Sequence, residues 1–106
     1  MVLTLSKVDV IAEKLVEYVA RAASRIRYNR DKLMTIAGSS LYGKVVKVIG
    51  RVAEYIVEDR NGLLWCRLCN KGPFTKRGLY LHLVRVHSYE IKLLIEDELS
   101  KEVSKA

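Results

Sequence analysis

The chain has 106 residues, half of which are hydrophobic, and a formal net charge of +7. This length suits one compact domain, or one domain with a small appended unit, and the composition provides enough apolar residues for a core. No stretch approaches the roughly 18 consecutive apolar residues of a membrane span, and no signal peptide pattern opens the sequence, so we expect a cytoplasmic protein without membrane contact. Glutamine is absent and asparagine occurs three times, a scarcity of amides that is typical of proteins from hot environments.

The positive charge is unevenly distributed along the chain. Residues 21–92 contain fifteen lysines and arginines against five acidic residues, whereas residues 1–20 and 93–106 each have a small acidic excess. A basic segment of this length indicates a surface that faces a polyanion, most simply nucleic acid. The alternative is that the charge only keeps the protein soluble.

The first predicted element is an amphipathic helix over residues 7–27, because apolar side chains recur there at helical spacing. We expect its apolar stripe to lie in the core, with a partner surface as the alternative. Cationic residues gather near its end, where they suit a helix C terminus. Among the cations of this region, Arg25, Arg27 and Arg30 are predicted to contact nucleic acid.

Two shorter helices and a hairpin are predicted next. The helices cover residues 30–37 and about 41–50. Apolar and polar residues then alternate over residues 53–58, which predicts a strand. The turn-forming residues 59–62 lead from it into a second strand over residues 63–67.

This order of helix, helix, helix and hairpin resembles a winged helix-turn-helix over residues 7–67. The resemblance implies that the third helix is a recognition helix that enters the major groove of DNA. The residues that would then meet the polyanion are Tyr42, Lys44, Lys47 and Arg51. The alternative is that the three helices serve only as a scaffold.

All the cysteines and histidines of the chain lie in one short window. They are Cys66, Cys69, His82 and His87, with the spacing C-x₂-C-x₁₂-H-x₄-H. This ligand set and separation suit a tetrahedral zinc ion when a hairpin faces a helix. We predict one structural zinc ion held by all four residues. The alternative, two buried thiols and two surface histidines, would make the spacing an accident.

The window over residues 64–87 resembles the C₂H₂ zinc-finger family. Leu64 and Leu79 occupy the apolar core positions of that family. The usual core aromatic of the family falls on Pro73, and Phe74 comes one residue late, so we expect the small core to pack differently. A lone finger in a small basic chain is similar to the zinc-finger proteins of archaea and their viruses, which are often regulators.

The predicted helix of the finger is poor in base-reading side chains. The positions that contact bases in C₂H₂ fingers fall on Thr75, Gly78 and Leu81, of which Thr75 is also the predicted N-cap. None of the three is a strong reader of base edges. The charged residues nearby suit phosphates better than bases; they are Lys71, Lys76, Arg77 and Arg85.

A final helix is predicted over residues 89–106, with an apolar stripe flanked by acidic residues. We expect it to fold back on the first helix, and the alternative is that it pairs with a second copy or another protein. The sequence thus divides into a helical segment over residues 1–62, a finger over 63–88 and this helix. Because the second strand of the hairpin runs directly into Cys66, we expect the hairpin and the finger to share that strand.

The fold class expected from these elements is mainly α with a β-hairpin, in which a winged-helix-like domain is fused to a single ββα zinc finger and a C-terminal helix. Four protein ligands would close the zinc site, and neither a phosphate-binding loop nor a nucleophile motif occurs, so we expect no enzyme. The leading hypothesis is a DNA-binding transcription regulator. An RNA-binding, ribosome-associated protein is the first alternative, and a protein-interaction module that uses its last helix is the second.

Overall fold

The computed structural model describes residues 5–104, with side chains from residue 7 onward. The four residues before this range belong to the predicted helical segment, and the two after it to the predicted final helix. Within the range the chain is mainly helical with one small sheet, as predicted, and none of its helices is long and apolar enough to cross a membrane. The elements are α1 (Leu5–Ala23), α2 (Arg30–Ala37), α3 (Tyr42–Ile56), β1 (Val57–Arg60), β2 (Leu63–Cys66), β3 (Lys71–Phe74), α4 (Lys76–Val86) and α5 (Ser88–Ser104).

The first helix ends at Ala23, earlier than predicted. Arg25 adopts the left-handed backbone conformation, with a φ of 62°. The N–H of Ile26 donates to the carbonyl of Arg21 at 2.8 Å, and the N–H of Arg25 donates to the carbonyl of Ala22 at 3.2 Å. These two bonds close a helix in the Schellman motif, so the chain turns away from the axis of α1 at Arg25.

The third helix runs to Ile56, so the strand predicted over residues 53–58 is wrong for residues 53–56. The extended strand β1 begins at Val57 and ends at Arg60. A short alternation of apolar and polar residues is compatible with both the strand and the helix period. The longer stripe of apolar residues at helical spacing favours the helix. The buried residues that form this stripe on α3 are Val45, Val48, Ile49, Val52, Ala53 and Ile56.

The three strands form one antiparallel sheet in the order β1-β2-β3. On one edge β2 pairs with β1, where Val57 lies opposite Cys66. On its other edge β2 pairs with β3, where Leu64 lies opposite Phe74. The central strand β2 therefore belongs to both hairpins, which is the arrangement that a strand shared by the predicted hairpin and the predicted finger requires.

The last helix packs along α1 and α3, and its apolar stripe lies in the common core. Ile91, Ile95 and Leu99 are fully buried. At the surface of the same contact, Lys92 of α5 lies 2.7 Å from a carboxylate oxygen of Asp9 in α1. The prediction that the final helix folds back on the first is confirmed, so the apolar stripe of α5 is covered by the chain itself.

A buried carboxylate ties α5 to α3. The side chain of Glu102 is only 5% exposed and accepts a hydrogen bond from Nη1 of Arg51 at 2.7 Å. The carboxylate oxygen Oε2 of Glu98 lies 3.8 Å from the same nitrogen. Because an unpaired charge is costly to remove from water, Arg51 stabilises Glu102 in its buried position and thereby the packing of α3 against α5.

The core is continuous across the three segments into which the sequence divides. Buried residues from all five described helices and from β1 and β2 form one apolar cluster. Cys66, a predicted metal ligand, is itself a member of this cluster. The finger segment and the helical segment therefore share one hydrophobic core.

Truncation of Leu99, which is 0% exposed, tests the role of α5 in that core. Leu99→Ala is expected to lower the free energy of unfolding by about 2–5 kcal/mol, because it removes buried methyl groups and leaves a cavity. The matched control is Leu93→Ala on the same helix, where the side chain is 45% exposed. Chemical denaturation measures the free energy of unfolding of both variants, and the loss should be smaller for Leu93→Ala. Equal losses would show that α5 does not pack as described.

Candidate metal centre

Both cysteines lie at the turn between β2 and β3. Cys66 is the last residue of β2, and Cys69 lies within the turn. Asn70 adopts the left-handed conformation with a φ of 59°, which asparagine tolerates better than most residues. Its N–H donates to the carbonyl of Cys66 at 2.8 Å. This bond closes the turn and places the two sulfurs on the same side of the hairpin.

The two histidines come from the helical side of the site. His82 lies in α4, whose N-cap is Thr75 as predicted, since the hydroxyl of Thr75 accepts a hydrogen bond from the N–H of Gly78 at 2.9 Å. His87 lies just beyond the helix as its C-cap, and its N–H donates to the carbonyl of Leu83 at 3.0 Å. The helix therefore ends between the two histidines, which allows residues five positions apart to face one point.

The four side chains meet at that point. The sulfurs of Cys66 and Cys69 and one ring nitrogen each from His82 and His87 all lie within 4.8 Å of one another. Sγ of Cys69 lies 3.3 Å from Nε2 of His82. The ligands of a tetrahedral ion with ordinary bonds to sulfur and nitrogen are about 3.3–3.8 Å apart. The four atoms therefore lie close enough together to bind one metal ion.

His87 provides an independent test of whether these residues fit a metal ion. The residue is 5% exposed, and its Nε2 atom has no hydrogen-bond partner among the described residues. A buried polar nitrogen without a partner costs free energy. A metal ion bound at this nitrogen would remove that cost, so the arrangement fits a metal ion.

The ionisation of the cluster is divided between its members. Burial raises the pKa of the Cys66 thiol, although two backbone N–H groups of the turn act in the opposite direction. Burial also opposes ionisation of Cys69, but the neighbouring imidazole of His87 and the N–H of Lys71 outweigh it and lower the pKa of that thiol. Burial and the charge of His87 lower the pKa of His82. Cys69 and His82 are thus shifted toward the thiolate and the neutral imidazole that bind metals.

Aromatic rings pack against the ligands and the hairpin. Phe74 stacks on His82 with ring centroids 4.8 Å apart, so the aromatic that comes one residue late supports a metal ligand directly. Gly72 leaves room for Trp65, because a Cβ atom on this glycine would lie 2.7 Å from the indole ring. The guanidinium of Arg60 lies over the same indole, 4.5 Å from its centroid.

The predicted nucleic-acid contacts are distributed over several elements. Arg25 and Arg27 lie between α1 and α2, Arg30 begins α2, Tyr42, Lys44, Lys47 and Arg51 lie on α3, Lys71 begins β3, and Lys76, Arg77 and Arg85 lie on α4. The fold brings Arg25 and Lys76 together, since both line one depression of the surface beside the hairpin. It separates Arg51 from the others by pairing it with Glu102 of α5.

Most cations of the predicted set form no ion pair with a described residue. Arg25 lies 3.5 Å from a carboxylate oxygen of Asp59, and Arg51 is paired with Glu102. The other eight of the ten cations form no ion pair within the part of the chain that the structure describes. Their charges are therefore not neutralised by the fold.

Sequence patterns missed two acidic residues that matter for the site and its support. Glu90 lies 2.6 Å from Nδ1 of His87, and the signal was an acid three residues after the last ligand, where one helical turn would bring it alongside. Glu102 resembles the other acids of α5 in the sequence. Only its position on the buried face of that helix distinguishes it.

Comparisons with models of known protein families, with curated proteins and with solved structures find no match for this chain. The interpretation of the site therefore rests on its own geometry and chemistry.

Removal of one ligand tests the cluster. The protein is expected to bind one metal ion per chain, and Cys69→Ser should weaken binding by more than the roughly hundredfold that loss of a supporting residue costs. The measurement is titration of the metal-free protein with Co²⁺ and Zn²⁺, with tetrahedral absorption bands as the signature of the Co²⁺ complex.

The control for this titration is Ser88→Ala, which changes an exposed residue next to His87 without touching a ligand. It should bind like the unaltered protein. If Cys69→Ser also retained full affinity, Cys69 would not be a ligand.

Proposed function

We propose that the chain is a zinc-stabilised protein that binds nucleic acid through phosphate contacts, with duplex DNA as its first target. The observation that carries the proposal is the set of eight cations that form no ion pair within the described chain, although Asp97, Glu98 and Glu102 on α5 are paired with other cations. Unpaired cations of this kind release counterions when they meet phosphates, and that release drives nonspecific binding to nucleic acid. A role as a small transcription regulator follows if the DNA contact is selective.

The chemistry of the donor set supports zinc as the metal. Two thiolates and two imidazoles with tetrahedral spacing are typical of structural zinc, and four protein ligands leave no open position for a substrate. We therefore assign residues 64–87 to a C₂H₂ zinc finger with a structural role, and no catalytic activity. Cysteines that bind a metal ion and form no disulfide also suit a reducing compartment, so we propose that the protein is cytoplasmic.

The finger is suited to phosphates and poorly suited to bases. The hydroxyl of Thr75 is occupied by the N–H of Gly78, and Gly78 itself has no side chain. Leu81 has no hydrogen-bonding group and is half-buried. The exposed Lys76 and Arg77 lie in the first turn of the same helix, where a cation can reach a phosphate.

In the winged-helix interpretation of α1 to β2, α3 is the recognition helix. We propose that its first half makes the base contacts. Arg51 is held by Glu102 and Glu98, and Asp97 lies beside it in the surface depression between α3 and α5. These acids repel phosphates from the second half of α3. The first half, with Tyr42, Lys44 and Lys47, is free of them and is the proposed contact.

RNA is the second candidate target, because the same observations that restrict base reading favour recognition by shape and phosphates. Folded RNA is commonly recognised in that way, and the pairing of Arg51 removes one predicted base contact. Competition between a DNA duplex and a folded RNA of equal length decides between the two targets. Preference for the RNA at every salt concentration would reject the DNA proposal and retain the nucleic-acid one.

Neutralisation of α3 tests the contact surface. The double variant Lys44→Ala, Lys47→Ala should weaken DNA binding and reduce the slope of log affinity against log salt by about 2, since each phosphate contact on a duplex contributes about 0.9. The matched control is Lys14→Ala, Lys101→Ala, which removes the same charge from α1 and α5. If both double variants lost equal affinity and slope, net charge would explain binding and α3 would not be the contact.

A further inference from the structure

We propose that Glu90 is a positioning residue for the metal centre, which holds the imidazole of His87 so that its Nε2 atom faces the metal. The inference rests on the zinc site proposed above and extends it beyond the four ligands. It assigns a role to a residue outside the C-x₂-C-x₁₂-H-x₄-H window.

The hydrogen bond between the two side chains determines which nitrogen of His87 is available. Nδ1 of His87 lies 2.6 Å from Oε1 of Glu90. An ionised carboxylate only accepts hydrogen bonds, so Nδ1 must carry the proton and donate it. In the neutral ring, which is the form that binds a metal ion, Nε2 then keeps its lone pair, and this is the atom without a hydrogen-bond partner among the described residues. Glu90 therefore selects the tautomer that a metal ion requires at Nε2.

The backbone around His87 is restrained on both sides, which leaves the ring as the part that needs orienting. The N–H of His87 bonds to the carbonyl of Leu83 in α4 at 3.0 Å, and its carbonyl accepts from the N–H of Ile91 in α5 at 2.9 Å. His87 thus joins two helices with its main chain. The side chain of Glu90, in the first turn of α5, is the group that fixes the ring.

The other histidine is supported differently. His82 lies within α4 and stacks on Phe74 with 4.8 Å between ring centroids. The two imidazole rings also contact each other, with centroids 4.9 Å apart, but their other neighbours differ, one aromatic and one acidic. Loss of the Glu90 carboxylate should therefore act on the site first through His87.

A carboxylate in the first turn of α5 could also stabilise that helix by its charge at the N terminus. The two effects separate when the charge and the hydrogen bond are removed in different combinations. Glu90→Gln removes the charge but keeps an oxygen that can accept from Nδ1. Glu90→Ala removes both. Glu54→Ala, at an exposed glutamate of α3 remote from the site in the sequence, is the matched control.

Zinc affinity is measured by competition with a chromophoric chelator, on the full chain. Glu90→Ala is expected to bind zinc about tenfold to a hundredfold more weakly than the unaltered protein, which is the usual cost of losing such a partner. Since 52% of the Glu90 side chain is exposed, we expect a value near the lower end of that interval. The zinc affinity of Glu90→Gln should lie between those of the unaltered protein and Glu90→Ala, because a hydrogen bond to a neutral acceptor is roughly half as strong as one to a charged acceptor. Glu54→Ala should match the unaltered protein.

Two further readouts isolate the hydrogen bond from general stability. The Nδ1 proton of His87 should be protected from exchange and visible by NMR in the zinc-loaded unaltered protein and in Glu90→Gln, and absent in Glu90→Ala. Chelator-driven release of zinc from the preloaded, folded proteins should be fastest for Glu90→Ala. The release measurement does not require the metal-free variant to fold.

The outcomes distinguish this inference from the zinc proposal beneath it. If the unaltered protein binds no zinc, the proposed function fails first. If it binds one zinc ion and Glu90→Ala matches it in affinity and release rate, the positioning role is rejected and the zinc site stands. Equal weakening by Gln and Ala with the Nδ1 proton still protected would also reject the role, because the charge at the start of α5 would then explain the effect.

Discussion

The convergence of two sulfurs and two imidazole nitrogens within 4.8 Å is the constraint on which the second half of the structure depends. Without a cation this cluster is unfavourable, since one thiol is buried and the Nε2 atom of His87 lacks a partner. A bound ion reverses both costs, because the free energy of metal binding at such sites is also free energy of folding. The turn after β2 supplies the two cysteines, α4 and its C-cap supply the two histidines, and the start of α5 supplies Glu90.

The site illustrates which features a sequence shows and which it hides. Cys66, Cys69, His82 and His87 have a spacing that one motif explains, so the sequence alone predicts that these four residues lie together. The N-cap at Thr75 and the burial of Leu79 follow from equally local rules. The length of α3 was missed because a short alternation is compatible with two periods. The pairing of Arg51 with a residue 51 positions away has no local signal, and it requires the packed fold to be known.

That long-range pair also changes how the basic charge of the chain is understood. Counting charges along the sequence treats all cations as equal contributors to a polyanion-facing surface. In the folded protein, α5 brings Glu102 against Arg51 of α3, and its own Lys92 is paired with Asp9 of α1. The acidic helix therefore does two things at once, since it covers the core with its apolar face and limits the basic surface with its polar one. Among the described cations predicted to contact nucleic acid, those without an ion pair are Arg27, Arg30 at the start of α2, Lys44 and Lys47 in the first half of α3, and the four within residues 71–85.

The strand β2 has a consequence for how the segment of residues 63–88, proposed above to be a zinc finger, can evolve or be engineered. Fingers in tandem arrays are portable because each carries its own hairpin and a linker at either end. Here the hairpin strand also pairs with β1, and two of its residues, Leu64 and Cys66, belong to the core of the whole chain. Excision of residues 63–88 would expose an unpaired strand edge and apolar surface on both fragments. We therefore expect duplication or transplantation of this segment alone to give a unit that is less stable than the segment in its host.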